Sequence, residues 1–529
     1  MPAVFPLLAV ALLASQQNTE RVSLNNAGLE GSGASEAPAV SADGQIIAFQ
    51  SAAPDLVSND TNDRRDILLR NMQLGQTELI SVTSAGLQTS GDSMTPAISA
   101  DGNLVVFSSI APEFQAGDIN RTWDIVLRDR AASTSRVLSV ANGLVGNAYS
   151  WTPAISADGA FVAFESGASN FVHDLNEQAD IFVVEVATGA IERVSLSTAG
   201  DEGDGPSRLP SLSADGRFIA FESEAKTLVA NDNNDKRDIF VHDRQTGETV
   251  RISGSGPGGE GNDHSSRPSI SADGRYIAYE SLASNLVAGD TNGVSDIFVY
   301  DRVTAQTKRV SVATGGIQVE NYNKFAVISA DARYVLFQSA SFDIAPDTVN
   351  GFLDVHVHDR STNVTERVSS NGFGVESNGW SGTPAINEDG RYLCFFSYGD
   401  NLEPGDSNDV ADVFRRDRGQ QGDTIALSGD LVVNLPGSLT VNFTGAPLVV
   451  DYWVLYSFAN TGSSVFGHPI DLASPKVAGK GQTSPIGAGS FTSNTIPPSL
   501  AGRAVYTEIL ARDLFGRFFD SNAFVTDLR

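Results

Sequence analysis

The chain has one cysteine, Cys394, in 529 residues, so no internal disulfide framework holds it together. Methionine is scarce, at three, and no long stretch repeats the apolar spacing of an amphipathic helix; both argue against a helical protein. After the first 14 residues no apolar run approaches the roughly 20 residues that a membrane-spanning helix needs. Positive charge is short as well: 35 Lys and Arg stand against 64 Asp and Glu, a formal charge of -29. That field repels nucleic acid and anionic lipid, makes both poor partners, and attracts cations. Catalytic signatures are missing too: there is no G-x-S-x-G elbow, H-E-x-x-H, P-loop or Rossmann glycine pattern. Acids are plentiful, but no pair is set apart as a glycosidase would need.

What the chain does have is 50 glycines and one turn signal repeated seven times. "SADGQIIAFQS", "SADGNLVVFSS", "SADGAFVAFES", "SADGRFIAFES", "SADGRYIAYES", "SADARYVLFQS" and "NEDGRYLCFFS" carry Asp43, Asp101, Asp158, Asp215, Asp273, Asp331 and Asp389. The spacing is 58, 57, 57, 58, 58 and 58 residues, which marks a repeat architecture. Each unit reads as four short apolar segments, for example "RVSV", "AVIS", "YVLFQS" and "DVHVHD". The Asp-Gly turn between the second and third is a strong hairpin signal. Four antiparallel strands per unit, seven times over, predict an all-β, seven-bladed β-propeller.

The two ends predict how the ring closes. "ERVSL" at 20–24 repeats "ERVSL" at 192–196 but has no blade before it, and the last repeat stops without its own "RVS" segment. The N-terminal strand is therefore expected to complete the seventh blade and remove the open sheet edges. The short turns then lie on one face and the two connections of about a dozen residues on the other. Long loops on a rigid frame are where binding sites usually sit.

One of those long loops obeys D-x-N-x-x-x-D in six copies. They are Asp60, Asn62 and Asp66; Asp118, Asn120 and Asp124; Asp174, Asn176 and Asp180; Asp232, Asn234 and Asp238; Asp290, Asn292 and Asp296; and Asp406, Asn408 and Asp412. The seventh copy, Asp347 to Asp354, carries one extra residue, which puts Asn350 out of register. Carboxylates and amides at alternate loop positions are the donors a hard cation such as calcium takes. The pattern lacks the glycine and the bidentate Glu of an EF-hand loop, and Asx turns without metal account for the same residues.

The other long connection, on the same face, is less regular. It and the acidic loops place Trp123, Tyr149, Trp151, His264, Tyr322 and Trp380 on an otherwise Gly-, Asn- and Ser-rich face. These six are the candidate contacts for a carbohydrate or a protein side chain; the alternative is that they fill space between blades or at the channel mouth. His356 and His358, at i and i+2, share one side of a strand and could reach one metal, but no such pair recurs and a strand surface explains them. Cys394, in "RYLCFFS", reads as a buried inert thiol.

The repeats are flanked by two other regions. Residues 1–16 contain an apolar stretch, Phe5 to Ala14, fit to be the core of a secretory signal, though no Lys or Arg precedes it. The propeller is assigned to 17–418. Periodicity fades from Arg415 to Asp423, with 419–423 as the linker, and 424–529 alternates apolar and polar residues as a small β-sandwich would. "DYWVLYSFANTGS" and "FFDSNAF" are its expected paired core strands.

The units, with "PSISADGRYIAYES" and "SDIFVYDRVTAQTKRVS" as the fullest copies, resemble the TolB-like, WD40-like propeller repeat family over about 400 of the 529 residues. The resemblance implies the propeller fold and a periplasmic or secreted location, and transfers no catalytic residue. The C-terminal part resembles small β-domains of bacterial secreted proteins. The resulting expectation is an exported, non-enzymatic binding or interaction scaffold, secreted or periplasmic and associated with the cell surface, monomeric by default. A calcium-stabilised structural protein and a carbohydrate-active enzyme with acids near the channel are the alternatives.

Overall fold

The computed structural model describes residues 18–419, apart from 117, 119, 257, 258, 346, 347 and 373; outside that range it describes only the backbone of strands. Contacts divide the chain into Asn18–Asp417 and a second unit of Met1–Gln17 with Arg418–Arg529.

The first unit is the expected propeller. Seven antiparallel sheets of four strands follow one another, each an up-and-down meander. In the fifth blade the strands are Ser265–Ile270, Tyr276–Ser281, Asp296–Asp301 and Gln306–Arg309, from the inside outward. The first strand of each blade, proline-bearing in six of the seven, is innermost, because residues from all seven line one central channel of about 590 Å³. In the last blade Asn18–Arg21 lies outside Asp412–Asp417, with Thr19 opposite Arg416 and Arg21 opposite Phe414. The ring is thus closed by the N-terminal strand. Arg416 donates to Thr19 Oγ1 at 2.7 Å, which ties the closing strand to its neighbour by a buried side chain. That neighbour runs on to Asp417, so Arg415 to Asp417 lie in the blade although the periodicity fades there.

The recurrent "SADG" does more than turn the chain. The Ser hydroxyl donates to the turn Asp, as Ser41 does to Asp43 at 2.6 Å, and accepts the N–H of the residue that starts the next strand. The alanine links turn to turn: Ala42, Ala100, Ala157, Ala214 and Ala272 donate their N–H to the alanine carbonyl of the next turn, at 2.9–3.0 Å. In the last repeat Asn387 Nδ2 donates back to Ala42 O at 2.9 Å. A belt of hydrogen bonds therefore runs around the short-turn face.

Between blades the core is aromatic. Phe164 and Phe182, Phe221 and Phe240, Tyr279 and Phe298, and Phe395 and Phe414 pair across adjacent strands at 5.9–6.1 Å. The sixth blade has His356 in place of the second ring, 6.2 Å from Phe337. His356 is fully buried, and among the described residues neither ring nitrogen has a hydrogen-bond partner. His358 is buried as well, sharing a hydrogen with Thr365 Oγ1, so the expected strand-surface placement of this pair is corrected: both faces of the strand pack on neighbouring blades. Cys394 is fully buried and burial pushes its thiol up to about 12, as an inert residue should be.

The second unit consists of antiparallel sheets, a β-sandwich-like appendage. One joins Ala3–Pro6, Asp430–Asn434, Ser438–Phe443 and Gly489–Thr492; another joins Lys476–Gln482, Asp451–Ser457, Ala504–Arg512 and Phe518–Asp520, with Phe524–Asp527 also against Ala504–Arg512. Asp451–Ser457 and Phe518–Asp520 flank Ala504–Arg512 and do not pair with each other. Within the expected leader, Val10–Leu13 pairs with Thr424–Leu427.

His356 yields a prediction. Burial, with Arg367 adding to it, lowers its pKa from 6.5 to about 3. Below pH 6.5 the unfolded chain takes a proton that the folded one refuses, so stability falls as pH drops. Between pH 7 and 5 the loss from this group is about 2 kcal/mol. His356→Phe, the residue of four sister blades, should raise Tm at pH 7 and flatten its decline towards pH 5; a decline equal to wild type would contradict this reading.

Candidate functional site

The long-loop face is built on a unit that recurs without exception. The Asp that opens the third strand is buried in every blade and accepts a hydrogen bond from the Ser two residues beyond the outer strand. The pairs are Asp66–Ser81, Asp124–Ser139, Asp180–Ser195, Asp238–Ser253, Asp296–Ser311, Asp354–Ser369 and Asp412–Ser23. Each Ser oxygen in turn accepts the N–H of the residue after the Asp, at 2.9–3.1 Å. The seventh position of the acidic loop is thus a lock between two strands.

The loop Asn is equally committed. Its amide donates to a carbonyl of the neighbouring long connection in all seven blades, from Thr89 O to Gly31 O. Its oxygen accepts the N–H two residues on, an Asx turn. Asn350 does the same as the rest, so it is in register after all: counted back from Asp354, Thr348 stands where the other loops have their first Asp.

A carboxylate buried this deeply needs a countercharge, and the outer strand supplies it. Its last residue is Arg in five blades. Arg193 pairs with Asp174 at 3.7 Å and Asp180 at 2.9 Å; Arg251 with Asp232 at 3.2 Å and Asp238 at 3.6 Å; Arg309 with Asp290 and Asp296, both at 3.3 Å. Arg367 meets Glu376 at 3.2 Å. Arg21 contacts Glu30, Asp406 and Asp412 at 2.5, 3.0 and 3.6 Å. Among the described residues those three acids form a group capable of holding a metal ion, with ligand oxygens within 4.8 Å of one another, and it is into this group that the Arg21 guanidinium reaches. Sequence reasoning passed over this Arg, although its presence in five repeats and its replacement by Leu79 and Val137 in two was a readable signal.

Those two blades differ from each other. Gln88 Nε2 bridges Asp60 and Asp66 at 2.7 and 2.9 Å. In the second blade no cation pairs with Asp118 or Asp124 among the described residues, and burial, with Asp118 beside it, raises the Asp124 pKa to about 7. Burial raises Asp66 and Asp412 to about 6.

The six candidate contact residues fall into three places. Tyr149, His264, Tyr322 and Trp380 hold one equivalent position, just before the inner strand, where the other blades have Ala34, Asp92 and Pro206. Trp151, half-buried, lines the channel and packs edge-on against Trp123 at 4.2 Å. Tyr149 is half-buried near Glu165 and Arg208. Trp380, 41 % exposed, stacks on Tyr398 at 5.5 Å. His264 and Tyr322 come together in a cavity of about 450 Å³ between the fourth, fifth and sixth blades, with Arg237, Glu280 and Lys324. Beneath this face Glu165, Glu222 and Glu280 each accept the N–H of Leu209, Arg267 and Phe325 in the next blade's inner strand, at 3.0–3.1 Å.

No protein-family model matches the chain, and no curated protein sequence matches it. Solved structures do. TolB from Acinetobacter baumannii is similar at 16% identity over 68% of this chain and 77% of that one, with a TM-score of 0.34. A puromycin-hydrolysing peptidase of Mycobacterium tuberculosis is similar at 14% identity over 84% of this chain and 62% of that one, TM-score 0.45. A chain of Kuenenia stuttgartiensis hydrazine synthase is similar at 12% identity over 71% and 94%, TM-score 0.37. Identities this low speak to fold alone.

The unpaired carboxylates of the second blade set a pH dependence. With Asp124 at about 7 in the folded state against an ordinary 3.8, its contribution is fully present below pH 3.8 and is lost as pH rises through 7. Between pH 5 and 8 that loss is about 2–3 kcal/mol. Asp124→Asn should therefore gain Tm over wild type as pH rises across this range, in melts run with EDTA. A constant difference would contradict it.

Proposed function

We propose that the protein is an exported, non-catalytic binding scaffold whose working surface is the long-loop face, and that its ligand is a protein segment or a carbohydrate. The observation that carries this reading is the contrast between constant and variable positions on one ring. Asp, Ser and Asn repeat in every blade, while the position before the inner strand changes from Ala34 through Asp92, Tyr149, Pro206, His264 and Tyr322 to Trp380. A repeat under structural demand alone has no need of a different side chain at each step. The non-catalytic part of the reading is supported by the buried acids: Glu165, Glu222 and Glu280 spend themselves on backbone N–H groups. Export is supported by the apolar segment Phe5 to Ala14.

Selection of binders from a random peptide library and a glycan array tests the reading. Ligands so found should lose at least tenfold in affinity on Tyr322→Ala or Trp380→Ala. Val303→Ser, on a short turn of the opposite face, should leave them unchanged; sensitivity only to Val303 would overturn the proposal.

A second reading, calcium bound in the second blade, is favoured by the absence of a cation beside Asp118 and Asp124. Calcium there would reverse the sign of the Asp124 substitution: wild type would gain Tm on adding calcium and Asp124→Asn would not.

A further inference from the structure

The cavity between the fourth, fifth and sixth blades departs from the charge of the rest of the chain. Of its lining side chains Arg237 and Lys324 are cations and Glu280 is a carboxylate, with Arg267 and Glu222 standing behind them as ion-pair partners. Arg237 pairs with Glu222 at 2.9 Å and Arg267 with Glu280 at 3.7 Å. Lys324 stands near Glu280 and acts on it through space, but not at ion-pair distance. Among the described residues it makes no ion pair, and its ammonium lies 5.0 Å from the centre of the Tyr322 ring. One net positive charge at a pocket of a protein with formal charge -29 is a local inversion of the global field.

The hydrogen-bonding character of the lining is just as one-sided. His264 Nδ1 accepts the backbone N–H of Arg237 at 3.0 Å, so the imidazole in that bond carries its proton on Nε2 and has a donor to offer. The oxygens of Glu280 are engaged by Arg267 and by the Phe325 N–H. Beside the Ser266, Ser281 and Ser295 hydroxyls, which can donate or accept, the charged and imidazole side chains offer donors and a cation, which favours an anion. Leu282, Val294 and the 36 % exposed Tyr322 supply apolar and aromatic surface beside the charge.

We infer that this cavity binds a small aromatic carboxylate, its charge met by Lys324 and the His264 N–H and its ring by Tyr322. The inference rests on the long-loop face being the binding surface and adds the chemical class of one ligand. A carboxylate beside the Lys324 ammonium in a recess is held by a charge-assisted hydrogen bond, which a neutral amide of the same shape cannot make.

Ligand-observed NMR titration of the full chain with benzoate and with benzamide tests it. Wild type should bind benzoate at least tenfold more tightly than benzamide. Lys324→Gln, at an exposed position whose integrity a melt verifies, should bring the two within about twofold, and Trp380→Ala should leave the preference intact. No binding of benzoate, equal affinity for the two probes, or a preference that survives Lys324→Gln overturns the inference. If benzoate fails while ligands selected against the face still depend on Tyr322 or Trp380, the aromatic-carboxylate assignment falls and the binding-face reading stands. If those ligands ignore both residues as well, both fall.

Discussion

The buried hydrogen bond between the third-strand Asp and the Ser two residues beyond the outer strand is the interaction on which the rest of this propeller depends. It fixes the outermost strand of every blade, including the N-terminal strand that closes the ring, where Ser23 meets Asp412 across 389 residues of sequence. Placing a carboxylate there has consequences. An ionised group taken out of water needs a partner, and removing one partner of such a buried pair typically destabilises by about 3–5 kcal/mol. The Arg at the end of the outer strand, the Gln of the first blade and the depressed acidity of Asp124 in the second are three answers to one electrostatic demand. The acidic loops follow from this demand, and so does their resemblance to a cation-binding pattern.

The fold was legible because its signals are local and repeated. Asp-Gly turns, alternating strands and a period of 57 to 58 residues each act within a few residues, and seven copies remove the ambiguity of any one. Closure was legible from the orphan "ERVSL". The loops were less so, since Asp and Asn at alternate positions satisfy metal and Asx-turn geometries alike. What the pattern hides is the partner of these acids, a side chain about 13 residues downstream of the second Asp, Arg193 beside Asp180 for example, brought near only by strand pairing. Asn350 misled for a related reason: counting from Asp347 set the wrong origin, whereas the Asn-to-Asp354 spacing is the one the turn enforces. His356 could not be placed from pattern, because a histidine in a strand reads the same on a surface as in a core.

The same frame explains where specificity can reside. Positions that hold the strands together are constant across blades, and those that project at the start of the inner strands are free to differ. Trp123 against Trp151, Trp380 against Tyr398, and Lys324 against Tyr322 give separate stretches of one face different chemistry.

The division between frame and working surface can be measured without knowing any ligand. Saturation mutagenesis of the seven lock pairs and of the seven variable ring positions, read out as the abundance of folded protein on a cell surface, compares them directly. The account predicts that substitutions of the Asp and Ser lower abundance in every blade, while those at Tyr149, His264, Tyr322 and Trp380 leave it near wild type. Equal loss at both sets would mean that the variable ring is part of the frame, and would contradict the account.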